Sequence, residues 1–398
     1  MNDRLVQRMA GLEPSLTALF GKVAEGPAPS IRTLTQTMTK EMESLGYDKI
    51  TTDELGNVIG VIKGYRHESD MLILAHVDLD PAAHSERLVL RDANGDQSPL
   101  AGAIAAIYAG ALLKRSIAAM SGDLIVSIVP GFRPCSFGTH FLFQSSLKDR
   151  KLKGVILAEP TDLNIYLGNK GMMEYEIIIN GIQEEQVIAD NQLTAMSTMY
   201  PLIKRLGDVS KKLPHSSEFG SSSLKIKDIL YNAQSTKAFQ VAVDRIFVPE
   251  ETSGEIIQRA RSIAESIYQD QPGTNVAVRV KTETMQLRQN RELVLTNEVA
   301  PWKMESHHPF VTESLQVLKE NGTNASVGYW KTLITEGSHT CGSMGIPTLG
   351  FGAGTEDTPF ILGKTVTLDA LEKSICGKAM IVYRNIGFPT FGWSDDEF

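Results

Sequence analysis

The sequence predicts an α/β protein with a mostly parallel mixed sheet between helices, and with a ferredoxin-like α+β domain inserted into it. Three observations predict this class. Apolar strand-like runs alternate with helical segments up to residue 171. The order β-α-β-β-α-β follows over 172–299, and strand–helix alternation returns over 300–398. We therefore expect a discontinuous core domain, 1–171 and 300–398, and an inserted domain, 172–299.

The individual elements follow from local patterns. Residues 3–45 carry apolar side chains at helical spacing, and the small residues of 101–113 predict a helix that packs closely on the sheet. Pro249, Glu250 and Glu251 predict the start of a helix, because proline and acidic side chains favour the first turn. The predicted strands are 57–62, 71–75, 123–129, 154–158, 173–180, 223–230, 238–248, 276–282 and 347–350, and the further helices are 138–149, 188–212, 310–321 and 367–385.

Composition limits the classes of partner. The chain has 398 residues, and its 39 basic and 47 acidic side chains give a net charge of 39 − 47 = −8. This balance predicts neither nucleic acid nor an anionic membrane as partner. No apolar run approaches the ~20 residues that span a bilayer. The N-terminus lacks the apolar stretch of a secretory signal, and the three cysteines are widely spaced. We expect a cytoplasmic protein.

Four polar residues lie where this architecture gathers functional groups. His76 and Asp78 follow the strand 71–75 and point the same way, because alternate residues of an extended chain share a side. Asp96 precedes the helix 101–113, and Glu159 ends the strand 154–158. Side chains at the carboxyl ends of parallel strands meet at one edge of the sheet. Either they bind a metal ion, or they are polar strand ends and loop carboxylates in solvent.

These motifs occur together in a characteristic order. A strand ending in His-x-Asp is followed by an aspartate before a Gly/Ala-rich helix, a strand ending in Glu-Pro-Thr-Asp, an inserted sandwich, and a closing strand and loop at 345–354. In this combination the sequence resembles the co-catalytic zinc peptidases and deacylases. That family includes aminoacylase, acetylornithine deacetylase, succinyl-diaminopimelate desuccinylase and carboxypeptidase G. Within it, the sequence is most similar to a deacetylase-like branch with hydrolases of purine and selenium metabolism.

The resemblance implies a role for each matching residue, and oligomerisation through the inserted domain, usually as a dimer. The implied roles are: His76, a ligand of the first zinc ion; Asp78, which orients His76; Asp96, the carboxylate that bridges two zinc ions; Glu159, a further ligand of the first zinc ion; Arg245, which contacts the carboxylate of the substrate; and His339, in a loop beside the substrate.

Three groups that the family uses are missing from this sequence. The family's paired glutamates, a general base and a ligand of the second zinc ion, would fall in the turn 130–135, where Phe132 and Arg133 stand. Phe360 occupies the place of a C-terminal histidine ligand. Glu185 lies in the stretch where relatives carry a histidine that reaches across the dimer. The second zinc site therefore keeps only Asp96.

Two states of the first site stay open: one zinc ion on His76, Asp96 and Glu159, or no metal, with Arg133 or Lys364 supplying positive charge. Loss of the base costs ~10²–10⁴-fold in rate, and loss of an oxyanion donor ~10²–10³-fold. The leading hypothesis is a hydrolytically silent or impaired homologue that acts as a binding or scaffold subunit, as a homodimer or within a larger assembly.

The alternative is a single-zinc amide hydrolase for small peptides or N-acyl amino acids. A third possibility is that an active homologous chain assembles with this one and supplies the chemistry. A cysteine hydrolase built on His339 and Cys341 is disfavoured, because proximity in a loop does not make a nucleophile–base pair.

Overall fold

The computed structural model describes residues 2–24, 31–66, 68–77, 99–116, 118–130, 136–180, 193–232, 238–269, 274–356 and 366–388. The chain divides into two compact units. Unit 1 comprises Met1–Gly168 and Lys303–Phe398, and unit 2 comprises Asn169–Trp302. The predicted α/β class, with a large mostly parallel sheet and an inserted α+β unit, is confirmed. No helix within the described ranges is both long and apolar enough to cross a membrane.

Unit 1 is built on an eight-stranded sheet. Its strands are β1 Lys49–Thr52, β2 Val58–Ile62, β3 Asp70–His76, β4 Leu124–Val129, β5 Leu152–Leu157, β6 Ile165–Tyr166, β18 Val327–Gly328 and β19 Thr348–Gly350; the short strands β7 Gly168–Asn169 and β17 Trp302–Lys303 lie at the boundary of the units. The strand order is β1-β2-β4-β3-β5-β19-β6-β18. The four central strands β4, β3, β5 and β19 run parallel, and β1 and β2 are antiparallel to their neighbours.

Helices surround the unit 1 sheet. Their bounds are α1 Asn2–Ala10, α2 Glu13–Ala24, α3 Ile31–Ser44, α4 Pro99–Arg115, α5 Phe137–Gln144, α8 Pro309–Glu320 and α9 Leu368–Ile386, and a π-helical segment covers Ser338–Ser343. His308 caps the start of helix α8. The His308 ring nitrogen Nδ1 accepts a hydrogen bond from the backbone N–H of Phe310 at 3.1 Å, in the first turn of α8.

Asp70, Asp123 and Arg150 form a charged cluster at the amino-terminal ends of the central strands β3 and β4. Asp70 opens β3 and Asp123 precedes β4, and the side chains of both are nearly fully buried. Arg150 Nη1 donates to Asp70 Oδ2 at 2.9 Å and to Asp123 Oδ2 at 2.8 Å. The two carboxylates raise the pKa of Arg150 further. One guanidinium group therefore serves as the shared partner of two buried carboxylates.

Unit 2 contains an antiparallel sheet and two long helices. The bounds of its elements are β8 Gly171–Asn180, α6 Leu193–Ser210, β9 His215–Ser216, β10 Gly220–Ser221, β11 Ser223–Asn232, β12 Ala238–Phe247, α7 Ser253–Tyr268, β13 Asn275–Val280, β14 Thr282–Gln286, β15 Glu292–Thr296 and β16 Glu298–Val299, with a 3-10 turn at Arg288–Asn290. The strand order is β11-β12-β8-β13, and β16 pairs beside β8. Alternate residues of β8 and β12 are buried in one core with residues of α6 and α7.

The predicted start of α7 at Pro249 is wrong. The residues before the helix form a turn, in which the N–H of Glu251 donates to the carbonyl of Val248 at 3.0 Å. The helix begins at Ser253, and Thr252 caps it through a reciprocal pair of hydrogen bonds with Glu255. In this capping box the side chains of Thr252 and Glu255 each accept a hydrogen bond from a backbone N–H group at the start of the helix. This pair therefore fixes the first residue of α7.

Candidate metal site

His76 and Glu159 meet at the carboxyl end of two neighbouring parallel strands. Leu74 of β3 pairs with Leu157 of β5, and the ladder continues because the N–H of Ala158 donates to the carbonyl of Leu74 at 2.9 Å. Two residues further along each strand, His76 and Glu159 are therefore neighbours on the same side of the sheet. His76 Nε2 lies 3.3 Å from Glu159 Oε1, and the two side chains are 14% and 9% exposed.

The donor atoms of this pair fit a zinc ion. Imidazole nitrogen and carboxylate oxygen both ligate zinc, and two ligands about 2.05 Å from a tetrahedral zinc ion are about 3.3 Å apart. The separation of His76 Nε2 and Glu159 Oε1 has this value. A tetrahedral protein site needs at least a third donor, and within the described ranges no three His, Cys, Asp or Glu side chains form such a group. The pair is thus a partial donor set.

Several predicted positions cannot be compared with this geometry. The metal-site candidates Asp78 and Asp96, and the replaced family positions Phe132, Arg133, Glu185 and Phe360, lie outside the described residues, as does Lys364. Their roles stay predictions.

Arg245 is engaged inside unit 2. Its side chain is 2% exposed, and its guanidinium group pairs with Glu251 and donates to the carbonyl oxygens of Ser223 and Ile246. Burial lowers the pKa of Arg245, and the negative charge of Glu251 opposes this shift. In this arrangement Arg245 ties β12 to the turn before α7. Its predicted contact with a substrate carboxylate stays a prediction.

His339 lies in a cluster of buried rings. Its ring centroid is 4.0 Å from that of His140 on α5 and 5.5 Å from that of Phe143. Burial, and to a smaller degree the charge of His140, lowers the pKa of His339 to about 3, so the imidazole is neutral near pH 7. Burial raises the pKa of Cys341 to about 11 and keeps its thiol protonated. A thiol that stays protonated and an imidazole that is only weakly basic do not favour cysteine nucleophilic catalysis.

Comparisons with known proteins find a relative by sequence and several proteins of similar structure. No protein-family model matches the sequence. An uncharacterised protein of Escherichia coli strain K12, YgeY, is 26% identical over 346 residues, which cover 80% of each chain. The dipeptidase Dug1p from Saccharomyces cerevisiae is 12% identical, with a TM-score of 0.66 and coverage of 97% of this chain and 99% of that one. YxeP of Bacillus subtilis, a dinuclear metal-binding peptidase of the M20 family, is 14% identical, with a TM-score of 0.66 and coverage of 95% and 100%. The chain has the fold of M20-family metallopeptidases.

One further charged group acts on the candidate site, and the sequence analysis did not predict it. Lys378 on α9 is fully buried, and the negative charge of Glu159 acts on its ammonium group. The signal was present in the sequence. One face of helix α9 carries a stripe of residues at helical spacing: Leu371, Ile375, Lys378 and Val382. Lys378 is the charged residue in this otherwise apolar stripe.

Proposed function

We propose that this chain is a peptidase-like homologue that holds one divalent metal ion through His76 and Glu159. Its ligand is a small peptide or an N-acyl amino acid, and it hydrolyses the amide bond at a strongly reduced rate or not at all. The observation that carries the metal part is the 3.3 Å separation of His76 Nε2 and Glu159 Oε1 at the carboxyl edge of the sheet. Asp96 is the third ligand in this proposal.

The residues of the chain have limited tasks in such a site. A bound zinc ion would act as a Lewis acid towards a carbonyl oxygen and lower the pKa of water. Glu159 presents a carboxylate that the end of β5 holds in place, and His76 presents Nε2 from the end of β3. Both side chains are largely shielded from solvent, which strengthens their electrostatic interaction with a cation.

The sequence argues against efficient hydrolysis. The turn 130–135, Pro-Gly-Phe-Arg-Pro-Cys, contains no carboxylate that could accept a proton. His339 and Cys341 do not replace it, because their pKa values of about 3 and about 11 lie far from neutral pH. Loss of the base and of an oxyanion donor together lower the rate by roughly 10⁴–10⁷-fold.

A second candidate function is single-metal amide hydrolysis with a base supplied from elsewhere. It is supported by the paired donors His76 and Glu159 and by the activities of proteins with the same fold, among them a dipeptidase and a tripeptidase. The two functions differ in turnover and share the metal site.

Metal content and turnover distinguish these functions. Protein purified without chelator is expected to contain one zinc ion per chain by elemental analysis, and His76→Ala is expected to contain none, because a donor is lost. His308→Ala, which alters a histidine that only caps a surface helix, is the matched control and should keep its zinc. Absence of metal from the unaltered chain would contradict the proposal. Cleavage of N-acyl amino acids that disappears in His76→Ala would favour the second candidate.

We also propose that two copies associate through the edge strand β11. Ile229, Leu230 and Tyr231 are 42%, 53% and 37% exposed, and β11 stands at the end of the unit 2 sheet. An edge strand with exposed apolar side chains favours pairing with a second strand. Leu230→Lys is expected to shift the chain from dimer to monomer in light scattering, whereas Val294→Lys, at an equally exposed valine on β15, should not. A monomeric unaltered chain would contradict this proposal.

A further inference from the structure

Lys378 occupies a position that costs the fold stability. Its side chain has no exposed surface, and its neighbours in the stripe along α9, Leu371, Ile375 and Val382, are buried apolar residues. Transfer of an ammonium group from water into such surroundings is expensive unless a counter-charge or hydrogen bonds compensate. A lysine here calls for a compensating group in the surrounding structure.

The hydrogen bonds of Lys378 do not fully compensate this cost. Lys378 Nζ donates to Ser374 Oγ, one turn earlier on the same helix, at 2.5 Å. It also lies 5.5 Å from the ring centroid of Phe351, a favourable position for a cation over an aromatic ring. Burial lowers the pKa of Lys378 to about 7, and the charge of Glu159 opposes this shift. Glu159 is thus a carboxylate whose negative charge acts on this buried ammonium group.

Contacts of Phe351 and Gly352 connect the surroundings of Lys378 with those of Glu159. The N–H of Phe351, next to β19, donates to the carbonyl of Leu157 in β5 at 3.1 Å. The following Gly352 lies against Glu159 so closely that a Cβ atom there would be 2.2 Å from the Glu159 carbonyl oxygen. The Phe351 ring thus neighbours Lys378, while the adjacent backbone touches Glu159.

We propose that Lys378 is the internal counter-charge of Glu159, a positioning residue that stabilises this carboxylate in the metal-free protein and weakens cation binding at His76 and Glu159. The charge effect on metal affinity rests on the proposed function. A divalent ion on Glu159 would be repelled by the ammonium group, because the low dielectric of a buried site transmits the interaction. Lys378 takes the task that the sequence alone suggested for Arg133 or Lys364.

A double-mutant cycle on chelator-treated protein tests the pairing directly. Glu159→Gln is expected to lower the urea midpoint in the presence of Lys378, because it leaves a buried ammonium group without its carboxylate. In the Lys378→Met background the same change should lower the midpoint clearly less or raise it. The measurements are made at about pH 6, where the ammonium group is charged. Lys378→Gln, which retains a hydrogen-bonding end group, replaces the methionine variant if that fails to fold.

Lys373 provides the matched control on the same helix. Its side chain is 55% exposed and pairs with Asp369 at the surface. Lys373→Met should leave the effect of Glu159→Gln on the urea midpoint unchanged. If Glu159→Gln lowers the midpoint equally in the unaltered chain and in the Lys378→Met background, the proposal is overturned.

Zinc titration against a competing chelator tests the consequence for affinity. Lys378→Met is expected to bind Zn²⁺ roughly tenfold more tightly than the unaltered chain, because a repelling unit charge is removed, whereas Lys373→Met should not differ. An unchanged or weaker affinity in Lys378→Met would contradict the predicted repulsion. If Zn²⁺ binds to none of these proteins, the proposed metal site fails, while the double-mutant cycle still decides whether Lys378 pairs with Glu159.

Discussion

Arg150→Met is expected to lower the free energy of unfolding by about 2–4 kcal/mol. Removal of one partner from a buried ion pair costs about 3–5 kcal/mol, and the lower range applies here because Arg150 is 34% exposed and water can partly replace it. The cost arises because Asp70 and Asp123, with side chains 5% and 6% exposed, would lose their shared cation. Urea unfolding of both proteins measures the difference.

A combined variant separates charge from packing at this cluster. Asp70→Asn and Asp123→Asn in the Arg150→Met background remove the buried negative charges, so part of the lost stability should return. The surface pair of Lys373 and Asp369 offers the control, since both partners are more than half exposed and Lys373→Met should cost less than about 1 kcal/mol. An equal loss in Arg150→Met and Lys373→Met would contradict the role of burial.

Gly102→Ala is expected to destabilise the protein by about 1–3 kcal/mol, although alanine ordinarily favours a helix by roughly 1 kcal/mol over glycine. A Cβ atom on Gly102 of α4 would lie 1.9 Å from the carbonyl oxygen of Ala158. Backbone atoms cannot rotate away as a flexible side chain does, so α4 and the end of β5 would separate. Glu159, the next residue, would shift relative to His76, and zinc affinity should fall with stability.

Gly207 on α6 is the matched control for this prediction. A Cβ atom at this position would have no other atom within 4 Å, so Gly207→Ala should raise the free energy of unfolding by roughly 0.5–1 kcal/mol. Urea unfolding and zinc titration of both variants check the prediction. Stabilisation of the protein by Gly102→Ala would mean that α4 and β5 can accommodate the methyl group.

The parts of the fold that sequence alone predicted are those with strong local patterns. The apolar runs before His76 and Glu159 marked β3 and β5, and parallel pairing then brings the two side chains together. The start of α7 was misplaced, because Pro249 and the acidic residues after it satisfy a general preference while Thr252 and Glu255 make the actual cap.

Other features depend on contacts that a single sequence does not reveal. The partner of Arg245 is Glu251, which lies across a turn, whereas the resemblance implies only a contact with a substrate carboxylate. Lys378 was visible as an exception to an apolar stripe, but its link to Glu159 passes through Phe351 and Gly352, which are far away in the sequence. Buried charges of this kind are assigned by tertiary structure.

The interrupted course of unit 1 has a consequence for how the chain folds during synthesis. Strand β19, at Thr348–Gly350, lies between β5 and β6 in the sheet, so the unit 1 sheet is not complete until residue 350 has left the ribosome. The four main strands of unit 2, β8, β11, β12 and β13, all lie between residues 171 and 280 and pair with one another without a later segment. Domains generally fold as units during translation. The inserted unit therefore has all four of its main strands available first. Strand β5 stays without its neighbour β19, which lies about 190 residues later in the chain, until that strand is synthesised.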